Sequence, residues 1–324
     1  MIVPNAILYD NRSDRERLRL TGPDRLKFLH NYCTNDIKKL VAGSGCEAFV
    51  TSPQGKTIGF FSALADQDSL LLHADPDGFS LVLPHFAKYG VFDEVAWNDE
   101  RESTFEIHAV GENIEDFLTK LEIPLPGPRD LDHISKVWRN RPIQVVRESP
   151  FGTPGFSILG TIDDLTFLIS AMEGTEGFSV REITPAEAEG LRIEAGTPVF
   201  GVDISAENLP QEIGRDVRAI SFVKGCYLGQ ETVARLDALG HVNKILMRLQ
   251  VTSGDPPKPG DALLASAAAA GVVTSSGQSP RTNRTVALAM VRLKTAPPGT
   301  VVAWNEDGRT GEGVVSPCEL KKLP

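Results

Sequence analysis

Apolar and polar positions change their period several times along the chain. "RLRL" alternates as a strand does and ends near Leu20, and "RLKFLHNY" after it has helical spacing. Gly22 reads as the cap between them. Pro23 suits the first helical position, where its missing N–H needs no partner, and Asp24 puts an acid in the first turn. "FEIHAVGENIEDFLTKL" repeats this grammar: a strand to Val110, Gly111, then an acidic helix. Phe28-Leu29 and Phe117-Leu118 stand at the same offset from their glycines, which predicts a duplicated α+β module. Between the two units, "CEAFVTSPQGKTIGFFSAL" and "SLLLHADP" read as strands turning at Pro53-Gln54-Gly55 and Asp66-Gln67-Asp68. A helix is expected through "FSLVLPHFAKYG".

The stretch from Pro124 to Pro154 is proline-rich and reads as irregular, with a strand resuming at "DDLTFLISA". "TPAEAEGLRIEAG" carries helix punctuation throughout: Thr184 as cap, Pro185 first, Glu187 completing a T-x-x-E box, Gly196 as a left-handed stop. "GQETVARL" is a further helix opened by Gly229. After His241 the chain changes character, with six short apolar runs from "NKILMRLQV" to "GEGVVS" parted by Gly, Pro, Asn and Ser. That rhythm predicts a small antiparallel barrel or sandwich. The fold class is therefore α+β, with a region of two modules over 1–240 and a strand-built domain over 241–324.

Composition narrows the function classes. The chain has 324 residues, 41% apolar and 23% charged, enough for more than one core. A net charge of -10 argues against broad attraction to nucleic acid or anionic lipid. The first twenty residues reach charges too soon for a secretory signal, and no segment is long enough to cross a membrane as a helix, so a cytoplasmic location is expected. Cys33, Cys46, Cys226 and Cys318 form no C-x-x-C pair, and the six histidines form no H-x-x-x-H pair. No metal site is expected. "GKT" at Gly55-Lys56-Thr57 is not a phosphate loop, because Val50 stands where the leading glycine is needed. "TND" from Thr34 reads as a helix start, and His241 as an exposed loop histidine.

Two positions invite a chemical reading. Cys226 lies just before the Gly229 helix, two residues after Lys224; both neighbours favour a thiolate, the form that attacks electrophiles. The alternative is a small buried hydrophobe. Glu194 falls in the last turn of the Pro185 helix, where the dipole disfavours an acid, with Arg192 near enough to offset it. It is either a solvated surface residue or a carboxylate aimed at a ligand's N–H groups.

"KGCYLGQE" from Lys224 to Glu231 resembles the K-G-C-Y-x-G-Q-E signature of the YgfZ-type folate-binding proteins, relatives of the glycine-cleavage T-protein, an aminomethyltransferase. "LRLTGPDRLKFLHNYCTND", "GLRIEAGTPVFGVDI", "LPQEIG" and "GHVNKIL" resemble other segments of that family. The resemblance spans most of the chain, with residues 99–178 divergent. It implies two intertwined ferredoxin-like modules followed by a C-terminal β-barrel, with tetrahydrofolate or a one-carbon derivative as cofactor. It implies a role in assembling or repairing iron–sulfur clusters of client enzymes, including tRNA-modifying ones, without direct nucleic-acid or membrane binding. On that resemblance Cys226, Lys224, Gln230 and Glu231 carry the chemistry, and Glu194 with Arg192 contact the cofactor. The T-protein's G-G-x-x-D-D is not reproduced: Gly59 and Phe60 stand at its aspartates. Aminomethyl transfer is therefore disfavoured, and it stays the alternative beside a non-catalytic interaction scaffold.

Overall fold

The computed structural model describes residues 5–240 and 242–318; His241 lies outside them. The first of two compact units runs up to Ala48 and includes Phe60–Ser149 and Thr153–Thr184. Its chain opens with β1 (Ala6–Asn11), β2 (Glu16–Thr21) and α1 (Arg25–Tyr32), followed by β3 (Ser44–Thr51), β4 (Thr57–Ala65) and β5 (Leu70–Ala74). Then come α2 (Val82–Tyr89), β6 (Ala96–Asp99), β7 (Thr104–Val110) and α3 (Ile114–Lys120). The unit closes with β8 (His133–Trp138), β9 (Arg141–Glu148), β10 (Gly155–Thr161), α4 (Leu165–Glu173) and β11 (Ser179–Glu182). Two sheets result, ordered β11-β1-β7-β10-β9-β8 and β3-β4-β5-β2-β6.

The repeated strand–glycine–helix grammar is present in both halves. Phe28 and Phe117 are fully buried, and each makes an edge-on ring pair, Phe28 with Phe86 at 5.0 Å and Phe117 with Phe178 at 5.1 Å. The first helix starts later than expected, with Asp24 at the cap and Arg25 first inside. Two expectations are overturned. The Pro124–Pro154 region is not irregular: it holds the β8–β9 hairpin, turned at Arg139 and Asn140, both at positive φ. "LTFLISAME" is a helix, not a strand. Leu168 and Met172 are its buried residues, four apart, which is helical spacing, and the strand lies just before it in "GFSILGT".

Buried charge crosses the first unit. Glu106 on β7 is wholly buried, accepts a 2.9 Å hydrogen bond from Arg15 and lies near Arg12, Arg17 and His73. Glu148 accepts from Arg12 at 2.9 Å and from the Ser157 hydroxyl, beside His108. Burial pushes His73 and His108 down to about 4. It acts upward on the two glutamates, but the arginines outweigh it and hold both below the usual carboxylate range.

The second unit takes Phe49–Gly59, Pro150–Gly152 and the chain from Pro185. It contains α5 (Pro185–Ala195), α6 (Asp216–Ala219) and α7 (Gln230–Leu239). Its six strands are β12 (Lys244–Gly254), β13 (Ala262–Ala265), β14 (Ala268–Gln278), β15 (Thr285–Arg292), β16 (Val301–Glu306) and β17 (Arg309–Pro317). They close as a barrel ordered β12-β15-β14-β13-β16-β17, one strand for each apolar run. "ASAAAAG" supplies the β13–β14 turn at Ser266-Ala267. The barrel core pairs large with small: Trp304, 1% exposed, lies among Ala265, Ala270, Ala287 and Ala289. A Cβ on Gly311 would fall 2.3 Å from the Trp304 ring, so the glycine makes room for the indole.

Candidate functional site

The Lys224–Glu231 segment is a turn held against the tip of the β3–β4 hairpin, which belongs to the same unit. The Thr51 hydroxyl donates to the Leu228 carbonyl at 2.6 Å, and the Thr232 hydroxyl donates to the Gln54 carbonyl at 3.0 Å. Below the turn, the Gln211 amide donates to the Val233 carbonyl at 2.7 Å. Gly229 caps α7 at φ +86, and a Cβ there would lie 2.4 Å from the Ser52 carbonyl oxygen and 2.7 Å from Thr51 Oγ1. Both the left-handed backbone and the contact require glycine. "GKT", which is not a phosphate loop by its sequence, has the same structural employment: the Lys56 ammonium donates to the Glu207 carbonyl at 2.6 Å.

Inside the turn the motif residues divide. Gln230 Oε1 accepts from the Tyr227 N–H at 3.3 Å while its own N–H donates to the Tyr227 carbonyl at 3.2 Å, closing the turn on itself. Lys224 is buried with its ammonium 4.7 Å from the centre of the buried Tyr227 ring, a cation–π contact. Cys226 projects between these two anchors and is exposed, whereas Cys33 and Cys318 are buried. The reading of Cys226 as a buried hydrophobe therefore fails. Glu231 is exposed in the first turn of α7, where the helix dipole favours an acid.

Glu194 stands at the end of α5, which stops at Gly196 (φ +78) as its sequence predicts. Its Oε2 accepts from the Ser279 hydroxyl at 2.9 Å and lies 3.7 Å from the Arg281 guanidinium; its backbone carbonyl accepts from Arg248 at 3.3 Å. Oε1 receives no hydrogen bond from the described residues. The acid in the last turn is thus offset by Arg281, and the expected compensation by Arg192 is corrected. Arg192 is buried and donates to Glu189 (2.6 Å), Asp203 (2.8 Å), Ser275 (2.9 Å) and the Thr197 carbonyl (3.2 Å). Burial lowers its proton affinity, but Asp203 and Glu189 more than restore it. Its guanidinium is spent on the protein, and Arg192 braces α5 against β14.

Thr51, Gln211, Ser279 and Arg281 were not legible as site residues. Their signals in the sequence are indirect: Gln211 falls in "LPQEIG", a segment of the resemblance, and Ser279 and Arg281 fall in "SPRT", a turn.

Residues 244–317 match the family model of the glycine cleavage T-protein C-terminal barrel domain. A chloroplastic protein of Arabidopsis thaliana named as a transferase is 26% identical, over 94% of this chain and 69% of its own length. The tRNA-modifying protein YgfZ of Colwellia psychrerythraea is 26% identical over 76% of this chain and 72% of its own. The crystal structure of the glycine cleavage system aminomethyltransferase T from Bartonella henselae superposes with a TM-score of 0.83. It covers 96% of this chain and 85% of its own at 18% identity, which makes it a likeness of fold. No helix among the described residues is long and apolar enough to cross a membrane.

Proposed function

We propose that the chain is a YgfZ-type member of the glycine-cleavage T-protein-like superfamily and, on that premise, a folate-binding factor serving tRNA modification. In the finer reading it binds tetrahydrofolate and assists assembly or repair of iron–sulfur clusters in client enzymes, using Cys226. The observation that carries this reading is the exposed Cys226 on a turn that Lys224, Tyr227, Gly229 and Gln230 hold in place.

The donor set suits the cofactor. Glu194 is fixed through one carboxylate oxygen by Ser279 and Arg281, and the other is left to accept from the N–H edge of a pterin. Tetrahydrofolate, when bound, supplies a carrier of one-carbon units. The chain's part is to orient it through Glu194 and to present a thiol outward at Cys226 for a client protein. A transferase needs an acid near the reacting nitrogen, and Gly59, buried in β4, stands where the T-protein has one.

Calorimetry with tetrahydrofolate tests the binding half. Glu194→Ala should weaken binding by about 1–3 kcal/mol through the lost charge-assisted hydrogen bonds. Undiminished affinity in the folded variant removes Glu194 from the site. With the aminomethyl-loaded glycine-cleavage carrier protein, no useful release of ammonia is expected; robust turnover replaces this reading with the transferase.

A further inference from the structure

A cleft of about 470 Å³ opens on the outer face of the barrel, between strands β12, β13, β14 and β15 and the loop from Val202 to Asn208. Its volume falls in the range of small-molecule sites. Val202, Leu264 and Val272 line it and remain 51%, 40% and 45% exposed, so the cleft presents apolar surface to solvent.

Its charges are unusual. Lys244 and Arg292 both line it and stand directly opposite each other in the β12–β15 register. Like charges so paired destabilise a sheet unless an anion lies between them. Glu212 answers one of them, at 3.5 Å from the Lys244 ammonium. Asp203, the acid lining the cleft, is closed off by Arg192, Thr274 and Ser275. Arg292 is exposed, with no ion pair or side-chain hydrogen bond among the described residues. One uncompensated guanidinium thus stands at the edge of an apolar trough.

We propose that this cleft is a binding site for a small organic anion: an apolar, flat body against Val272, Leu264 and Met290, with its carboxylate, sulfonate or phosphate on Arg292 and Lys244. The site is independent of the folate reading, and neither Glu194 nor Cys226 lines it.

The chain's few methionines provide the test. Met290 lines the cleft, whereas Met172 and Met247 are buried in two different cores. With methionine methyl groups labelled with carbon-13, titration with 2-naphthoate should shift the Met290 resonance saturably and leave Met172 and Met247 in place. The neutral 2-naphthamide should bind at least tenfold more weakly, and Lys244→Gln with Arg292→Gln should remove that preference. The single variant Arg292→Gln, at an exposed position, carries the same test if the double variant disturbs the Met247 signal. No saturable shift at Met290, equal binding of acid and amide, or undiminished preference in the variants overturns the proposal.

Discussion

Replacing Gly229 by alanine perturbs the site through its scaffold alone, because the residue has no side chain to contribute to chemistry. Its φ of +86 is left-handed backbone, which costs an L-residue about 1–2 kcal/mol. The added Cβ would sit 2.4 Å from the Ser52 carbonyl oxygen, and Ser52 belongs to a hairpin turn closed by its own 2.8 Å bonds, Ser52 N–H to Lys56 and Gly55 N–H to Ser52. Relief requires the helix start to move off the hairpin, stretching the Thr51–Leu228 hydrogen bond, worth about 1 kcal/mol. The sum is about 2–3 kcal/mol. At about 2–4 °C per kcal/mol for a unit of this size, the melting midpoint should fall by roughly 4–12 °C. Gly225 is the internal control: it lies in the same motif, but a Cβ there meets nothing within 4 Å and its φ is not left-handed. Gly225→Ala should therefore melt within about 0.5 kcal/mol of the parent. Thermal unfolding of both variants is the assay. Equal melting of Gly229→Ala and the parent, or equal losses in the two variants, would refute the assignment of Gly229 to the clamp.

Stability should also depend on acid. His73 and His108 are held neutral with folded values near 4 against about 6.5 unfolded, so the unfolded chain binds more protons between those limits and stability falls as pH drops from 6.5 to 4. Glu106 and Glu148, depressed by the arginines, add a further loss below about 4.5. A urea midpoint that stays flat between pH 7 and 4 contradicts the buried-charge account. In the barrel, Gly311→Ala should cost about 1–3 kcal/mol by overpacking against Trp304. A cycle with Trp304→Phe should show coupling of at least about 0.5 kcal/mol, and strict additivity would place the strain elsewhere. Exposed Cys226 should be alkylated by iodoacetamide faster than buried Cys33 and Cys318. Cys226→Ala should keep the parent's melting midpoint yet fail to restore cluster-dependent activity in a cell lacking the family member; full restoration would end the thiol proposal.

Legibility in the sequence followed the range of the interactions. The barrel strands were readable because each is a local alternation bounded by turn residues, and α5 because Pro185 and Gly196 punctuate it. The β8–β9 hairpin was not, because Arg139 and Asn140 take positive φ without a glycine to announce it. "FEIHAV" reads as a strand and is one, yet its pattern leaves the surroundings of its polar face open. Alternation places Glu106 and His108 on one side but cannot say whether that side meets water or a second, charged interior. Here it meets Arg15, ninety-one positions away along the chain. The clamp on the cysteine turn was hidden for the same reason: Thr51 and Leu228 are 177 positions apart.

The eight-residue motif therefore contains two populations that a pattern match cannot separate. Lys224, Tyr227, Gly229 and Gln230 are committed to one another or to the hairpin, through a cation–π contact, a left-handed cap and a closed pair of hydrogen bonds. Gly225, Cys226 and Glu231 face outward, the last in helix-favouring register. Substituting the first group should lower stability and activity together. Substituting the second should lower activity at unchanged stability, if the outward surface is what a client or ligand reads. Gly225→Ala is the informative member, because its methyl group meets nothing in the protein. Any loss of activity it produces has to arise from a contact made by something outside the chain, within a few ångströms of the Cys226 thiol.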